Sequence, residues 1–483
     1  MLAEQGRYYS SGGTIVAVHR DPTSGDIRVE PVSEQSLTSA LAEAADWERF
    51  DGKERGWVRC DPQAKYVAGL HRAQTYSKLP ALRGVARQPF FPSGEGPIVT
   101  KSGFDPQSGW FASFNEADFV FPEPSKQHAE EALARLEALL REFHFATAHD
   151  RAAALSAMLT AAVRTTLPVA PAFSVTASGP GSGKTYLCST VYPFAGPGDP
   201  ANVSYPMTSD EATKVVLSLL MQAPAAIVFD DMDTDWKPHG AINRMLTSPT
   251  ISDRLLGVSR TAKASTRTLV LGSGNNIEPL RDLRRRVISI RLAPKTASPA
   301  MLAYQGKPAD EVRSKRAQYV ADALTIVAAW RHAGSPRTDV FEIASFNGLW
   351  SDWCRQPLLW LGHSDPAASL RDQLNSDPYT ESLGDVLQAW HKRFGDAPIT
   401  LRRVLEPSHS LAASDDDDLN DALQQLPVTD GRDINRSKLG WYLKKNSGRI
   451  VGGLHVEPAP SSERKAWRVV KVVDELTDQP TVT

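Results

Sequence analysis

Cysteine is scarce in this chain. There are three in 483 residues, Cys60, Cys188 and Cys354, far apart and without a CxxC pair or a Cys/His cluster. This excludes a disulfide framework and a zinc ribbon and fits a reducing compartment, so a cytoplasmic location is expected. Long apolar runs are missing as well. No stretch approaches the ~20 residues needed to span a bilayer and no signal peptide opens the chain, so no membrane partner is expected. Net charge is nearly absent, since 54 Lys and Arg face 56 Asp and Glu and leave −2. A basic field over the whole surface is excluded, and any nucleic-acid contact must come from local patches or a channel. What remains is ordinary globular composition over a length that suggests about two to four domains.

The richest stretch is residues 173–187, FSVTASGPGSGKTYL. A short apolar run ends in a Gly/Ser/Pro loop, followed by Lys184, Thr185 and a segment compatible with a helix. Strand, loop and helix in that order are the layout of a P-loop, in which backbone N–H groups cradle phosphates, the lysine reaches the terminal phosphates and the hydroxyl ligates Mg²⁺. The nucleotide-binding set is Ser178, Gly179, Pro180, Gly181, Ser182, Gly183, Lys184, Thr185 and Tyr186. Ser178 stands where the usual pattern opens with Gly. The substrate class is a nucleoside triphosphate, ATP or GTP, with Mg²⁺ as cofactor.

Residues 225–229, AAIVF, form a second apolar run, which ends in Asp230 and Asp231. Acids at such a strand end suit metal binding and water activation, so Asp230 is expected to share the metal with Thr185 and Asp231 to polarise the attacking water. A third apolar run, 268–272, ends in Ser273, Gly274, Asn275 and Asn276. The triplet Arg284, Arg285 and Arg286 follows, then the alternating strand 287–292. Asn275 and Asn276 are candidates to position the lytic water. The triplet reads either as a solvated basic turn or as arginines that reach the phosphate of a neighbouring subunit. Between the second and third runs, residues 252–267 read as two β-compatible pieces around a basic tip, with Arg260 and Lys263 as candidate phosphate contacts on nucleic acid or as ordinary surface charges.

These motifs resemble the Walker B strand, sensor-1 asparagine and arginine finger of AAA+ and superfamily 3 helicase ATPases. Most of the chain resembles the primase–helicase proteins of phages and prophages, carried by residues 80–111, the P-loop block, residues 271–292 and WLGHSDP at 360–366. The resemblance implies an AAA+-like α/β core with a mostly parallel sheet flanked by helices. It also implies ATP hydrolysis, self-association into a ring, expected to be a hexamer, and a hairpin carrying Arg260 and Lys263 that grips single-stranded or forked DNA in the channel. Host or phage replication proteins are the further partners it implies.

Around this core, four segments are expected. Residues 1–125 read as a small mixed α/β domain whose aromatics Trp47, Trp57, Trp110 and Phe111 are expected in its core; no primase-like set of acids and histidine is visible there. Residues 126–335 hold the ATPase core, preceded by amphipathic collar helices and closed by a helical lid over 308–333. Residues 336–415 read as helical. Residues 416–483 read as a winged-helix-like domain: a helix over 435–445 with an apolar face at Leu439, Tyr442 and Leu443, then strands at 449–456 and 466–472. Arg436, Lys438, Lys444 and Lys445 are its candidate DNA contacts, with protein docking as the alternative use of the same fold. The expected activity is an ATP-dependent, ring-forming DNA helicase or translocase of a phage or mobile element. An ATPase switch or remodeller without unwinding and an origin-binding replication initiator are the alternatives.

Overall fold

Apolar β-branched runs at 172–177, 226–232, 269–275 and 287–292 are too continuous for a one-sided sheet and require cover on both faces. In the computed structural model they join Ala201–Val203 in a five-stranded sheet ordered Ala201–Val203, Ala226–Met232, Leu269–Asn275, Ala172–Ala177, Val287–Leu292, with every pairing parallel. The structure describes residues 2–73, 75–92, 96–254, 261–296, 299–375, 378–405, 413–431, 433–460 and 466–472. They fall into two compact units, Met1–Gln373 and Leu374–Thr483.

In the first unit, helix Ala148–Val163 is buried along nearly its whole length beneath the sheet, which its small alanine side chains allow. Its first turn is fixed by Asp150, whose carboxylate accepts from the Thr147 hydroxyl at 2.6 Å and from the Arg291 N–H at 2.8 Å on the edge strand. The collar helix Lys126–Leu139 packs on Arg316–His332, one of two helices (with Pro308–Ser314) found where a lid was expected. Arg135 forks onto Asp322 across that contact, at 2.9 and 2.7 Å. Burial nevertheless pushes the Asp322 carboxyl above its ordinary pKa, against the pull of Arg135.

The N-terminal segment carries its own three-stranded antiparallel sheet, Tyr8–Ser11, Thr14–Arg20 and Ile27–Pro31. No unit boundary falls at 125, because two buried polar side chains bolt the segment to the core. Arg87 pairs with Asp26 and donates to Ile27 O at 2.7 Å and Ala223 O at 2.8 Å. Gln88 donates to Ala162 O at 3.0 Å and Phe194 O at 2.8 Å. One expected core residue lies outside: Trp57 is 67% exposed on the hairpin Glu48–Asp51/Gly56–Arg59, edge-on to exposed Phe50.

The expected helical segment 336–415 does not hold together. Trp350, Trp353, Leu358 and Leu370 belong to the main core of the first unit, whereas helix Pro378–Phe394 belongs to the second. Its face of Leu383, Val386, Leu387 and Trp390 packs with Leu423, Leu439, Leu443, Val456 and Val469 in one cluster, which moves the boundary from 416 to 374. The second unit combines helices with a small antiparallel sheet. Helices Pro378–Phe394, Ala413–Gln424 and Arg436–Lys445 pack on a sheet ordered Ile399–Thr400, Ala466–Lys471, Leu454–Ala459. The expected acidic run at 415–418 opens the second of these helices, and Asp418 pairs with Lys392 at 3.0 Å. Among the described residues no helix is long and apolar enough to cross a membrane.

Candidate nucleotide-binding site

Strand Ala172–Ala177 delivers the loop 178–183 to the N-terminus of helix Lys184–Val191. Gly181 and Gly183 take φ of +69° and +86°, a region in which a Cβ is strained, so these two positions need glycine. Ser178 has no positive φ, which is why serine is tolerated where the usual pattern opens with glycine. Ser182 donates its hydroxyl to Gly179 O at 2.6 Å and closes the loop on itself.

Lys184 is buried at the loop's centre. Its ammonium donates to Asn275 Oδ1 at 2.7 Å and to Gly179 O at 3.2 Å. Burial lowers its pKa, while the nearby Asp231 and Asp230 carboxylates work against that shift. The strand bearing Asn275 lies between the P-loop strand and the strand bearing Asp230, so three neighbouring strands end at one place.

Asp230 Oδ1 accepts from the Thr185 hydroxyl at 3.0 Å and also from the Ser273 hydroxyl. A bulge between Phe229 and Met232 follows, where Asp231 adopts φ +48° and is exposed while its N–H returns to Asp230 Oδ1 at 3.0 Å. A non-glycine residue in that conformation beside a carboxylate cluster is strain of the kind found at functional sites. The bulge separates the two acids, one facing the loop and one facing outward. Ser273 was not singled out from sequence, yet it lies two positions before Asn275 and therefore on the same strand face. Asn276, at φ +49°, contributes its N–H to Ala177 O at 3.0 Å; of the two asparagines, Asn275 is the one joined to the lysine.

The residues present suit a magnesium-bound nucleoside triphosphate. Thr185 and Asp230 offer two hard oxygens side by side, and among the described residues no cluster of three His, Cys, Asp or Glu competes as a metal cage. The loop also opens into a cavity of about 440 Å³ lined by Phe143, Tyr186, Tyr304, Pro294, Pro299 and Pro308, with Glu142 and His144 at its polar side. Phe143 and Tyr186 stack with centroids 6.1 Å apart. Glu142 accepts the N–H groups of Gln305 and Gly306 at 3.0 and 2.9 Å, holding one wall in place. An aromatic slot continuous with a phosphate loop has the shape and chemistry of a base pocket. Only Tyr186 of this slot was legible in sequence, because the others arrive from segments far apart in the chain.

The arginine triplet separates in space. Arg284 is buried and donates to Gln373 O at 2.7 Å. Its place in the short 3₁₀ turn Arg281–Arg285 points it inward. The Arg286 side chain is 12% exposed, its pKa lowered by burial, with Asp282 at 3.9 Å. The Arg285 side chain is 47% exposed and meets Asp282 at 3.1 Å.

The expected hairpin forms from Thr250–Arg254 and Thr261–Ser265, with Lys263 exposed opposite Ser252 in mid-strand. Its inner positions Ile251 and Ala264 join the core under helix Ser209–Met221. Arg260 lies outside the described residues. In the second unit Lys438 is engaged by Asp430 and by Thr429 O at 3.2 Å. Lys445 lies 4.9 Å from the Trp441 ring centroid, and Arg436 and Lys444 are exposed.

No protein-family model matches the sequence, and no curated protein matches it. Among solved structures, the apo A form of the NrS-1 C-terminal region is similar at 11% identity and TM-score 0.33, over 91% of this chain and 100% of that one. The JCV helicase is similar at 17% identity and TM-score 0.22, over 56% of this chain and 65% of that one. Its inhibitor-bound form is similar at 16% identity and TM-score 0.23 over the same shares. Identities and TM-scores are low throughout, and the site stands on its own geometry.

Proposed function

We propose that the protein is an ATP-hydrolysing motor of helicase type, which assembles as a ring and acts on single-stranded or forked DNA in the replication of a phage or mobile element. The observation that carries the chemistry is the meeting of Lys184, Thr185, Asp230 and Asn275 at the ends of adjacent parallel strands. Lys184, now held by Asn275 and Gly179, would exchange those partners for phosphate oxygens. Thr185 and Asp230 would hold magnesium, which when bound supplies Lewis-acid neutralisation of phosphate charge. Asp231, turned outward by the bulge, would orient the attacking water, with Asn275 on the facing strand. Arg285, the most exposed side chain of the triplet, would serve a neighbouring subunit's nucleotide. Lys263, with Arg260, would contact the DNA strand. Host or phage replication proteins are the expected further partners.

Lys184→Ala should lower ATP turnover by at least ~10²–10³-fold, the scale for removing one preorganised charge-stabilising group. Asp230→Asn should leave nucleotide bound and unhydrolysed. Wild-type turnover in either variant rules the site out. Mixing inactive Lys184→Ala with inactive Arg285→Ala should restore part of the activity, because some mixed interfaces pair an intact loop with an intact arginine. No recovery despite co-assembly rules out the trans role. ATP hydrolysis without strand displacement on a forked duplex would replace the motor by a switch or remodeller.

A further inference from the structure

The exposed face of helix Arg436–Lys445 carries a large aromatic side chain at its centre. Its inward side is Leu439, Tyr442 and Leu443. Its outward side presents Arg436, Ser437, Trp441 and Lys444, with Trp441 at 64% exposure in the middle. Base-edge discrimination in a major groove relies on side chains such as Asn, Gln and Arg aimed at donor and acceptor patterns. An indole at the centre of that face offers a single N–H and a large flat surface. A base can use that surface only if it is unpaired.

Beside this face lies a groove of about 830 Å³ between the helix, the short helix Leu401–Val404 and the strand ends at Ala459 and Ala466. Arg402, Arg436 and Lys444 line it together with Trp441 and Trp467, and no carboxylate lines it among the described residues. Gly440 lets the walls approach, since a Cβ there would sit 3.2 Å from Leu401 Cδ1. Lys445 lies over the Trp441 ring, adding charge where the indole is held. Lys438, one of the four expected contacts, does not line the groove and is tied to Asp430. Its place is taken by Arg402, which carried no signal in the sequence.

We propose that this groove is a single-stranded nucleic acid site, in which Trp441 stacks an unpaired base and Arg402, Arg436 and Lys444 bind the flanking phosphates. The choice of occupant rests on charge: the exposed Arg436 and Lys444 beside a stacking platform, with no acid among the described lining residues, match a flexible polyanion with exposed bases. The inference deepens the reading of the protein as acting on DNA and does not depend on ATP hydrolysis.

The test uses the full chain without nucleotide, in an Arg260→Ala/Lys263→Ala background so that the hairpin does not contribute. The probe is a fluorescent oligodeoxythymidylate, and an iododeoxyuridine-substituted version serves for photo-cross-linking. We expect cross-links at Trp441 and a loss of affinity of about 5- to 150-fold in Trp441→Ala, largely recovered in Trp441→Phe. Arg436→Ala and Lys444→Ala should each flatten the slope of log affinity against log salt by about 0.7, and Lys438→Ala should leave it unchanged. Unaltered affinity in Trp441→Ala, cross-links confined to residues outside 400–467, or tighter binding of the matching duplex than of the single strand would each overturn the proposal. Failure here with ATP turnover that depends on Lys184 removes the groove alone. Cross-linking at Trp441 with turnover indifferent to Lys184→Ala removes the motor alone.

Discussion

The nucleotide end of the parallel sheet and the outward face of helix Arg436–Lys445 both gather cations, and they hold them differently. Lys184 is buried and hydrogen-bonded to Asn275 and Gly179. Across from it, Asp230 is fixed by two hydroxyls. Arg436 and Lys444 stand exposed around an open groove with an exposed indole. The first arrangement holds its charged groups in place before any ligand arrives, as preorganised stabilisation of a transferring phosphate would require. The second suits a ligand that must be gripped and released, since exposed phosphate contacts act through screened, salt-dependent electrostatics. The two sites thus differ in how much the fold fixes the side chain before a ligand arrives.

That contrast can be broken most severely in the core of the second unit. Trp390 is fully buried among the residues that unite helix Pro378–Phe394 with helix Arg436–Lys445 and the strands of the second unit. Trp390→Ala should cost about 3–5 kcal/mol, read as faster amide hydrogen exchange across 436–445 with unchanged protection across 184–191. Equal loss in both would show that the two units do not unfold separately. Next in size is the asparagine pair. Asn275→Ala should lower turnover about 10²–10³-fold in steady-state assays, whereas Asn276→Ala, which keeps its backbone N–H bond to Ala177, should change it far less. The reverse order would move the sensing role to Asn276.

A smaller effect is expected in the aromatic slot. Phe143→Ala should weaken ATP binding by about 1–3 kcal/mol, the range for loss of one base–aromatic stack, and leave the affinity for inorganic triphosphate unchanged. Equal losses for both ligands would mean that Phe143 supports the loop and not the base. The smallest effect belongs to the cap of helix Arg436–Lys445. Asn435 Oδ1 accepts from Ser437 N at 2.9 Å and Lys438 N at 3.0 Å, so Asn435→Ala should cost about 0.5–2 kcal/mol by thermal unfolding. Lys438 and Asn435 also hold the Asp430 carboxyl below its ordinary pKa. Its share of stability is therefore present above the ordinary aspartate range and fades as pH falls through the lowered value.

Local order was legible wherever strand, loop and helix are contiguous. The loop 178–183, the strand bearing Asp230, the hairpin strands and the helix over 435–445 all appear where the pattern of apolar and turn residues places them. Partnership between distant segments was not. Nothing in residues 284–286 as a string distinguishes an arginine donating to Gln373 O from one standing in solvent. Trp57 was misread for a similar reason: an aromatic in a short β run is usually buried, and this run forms a two-stranded hairpin.

The sequence by itself determined the local frame of the proposed phosphate site. Gly181 and Gly183 at positive φ, Lys184 and Thr185 at the start of a helix, and an acid after an apolar strand are local requirements, met within a few residues of one another. Only the tertiary structure decided which residues share the site. The strand order brings Asn275 to Lys184 and Ser273 to Asp230. Chain segments around residues 143, 186 and 304 close the aromatic slot, and Arg402 enters the groove beside Trp441. Backbone dihedrals and hydrogen-bond periodicity are written over neighbours in sequence, whereas sheet order and packing are settled by burying apolar surface across the whole unit.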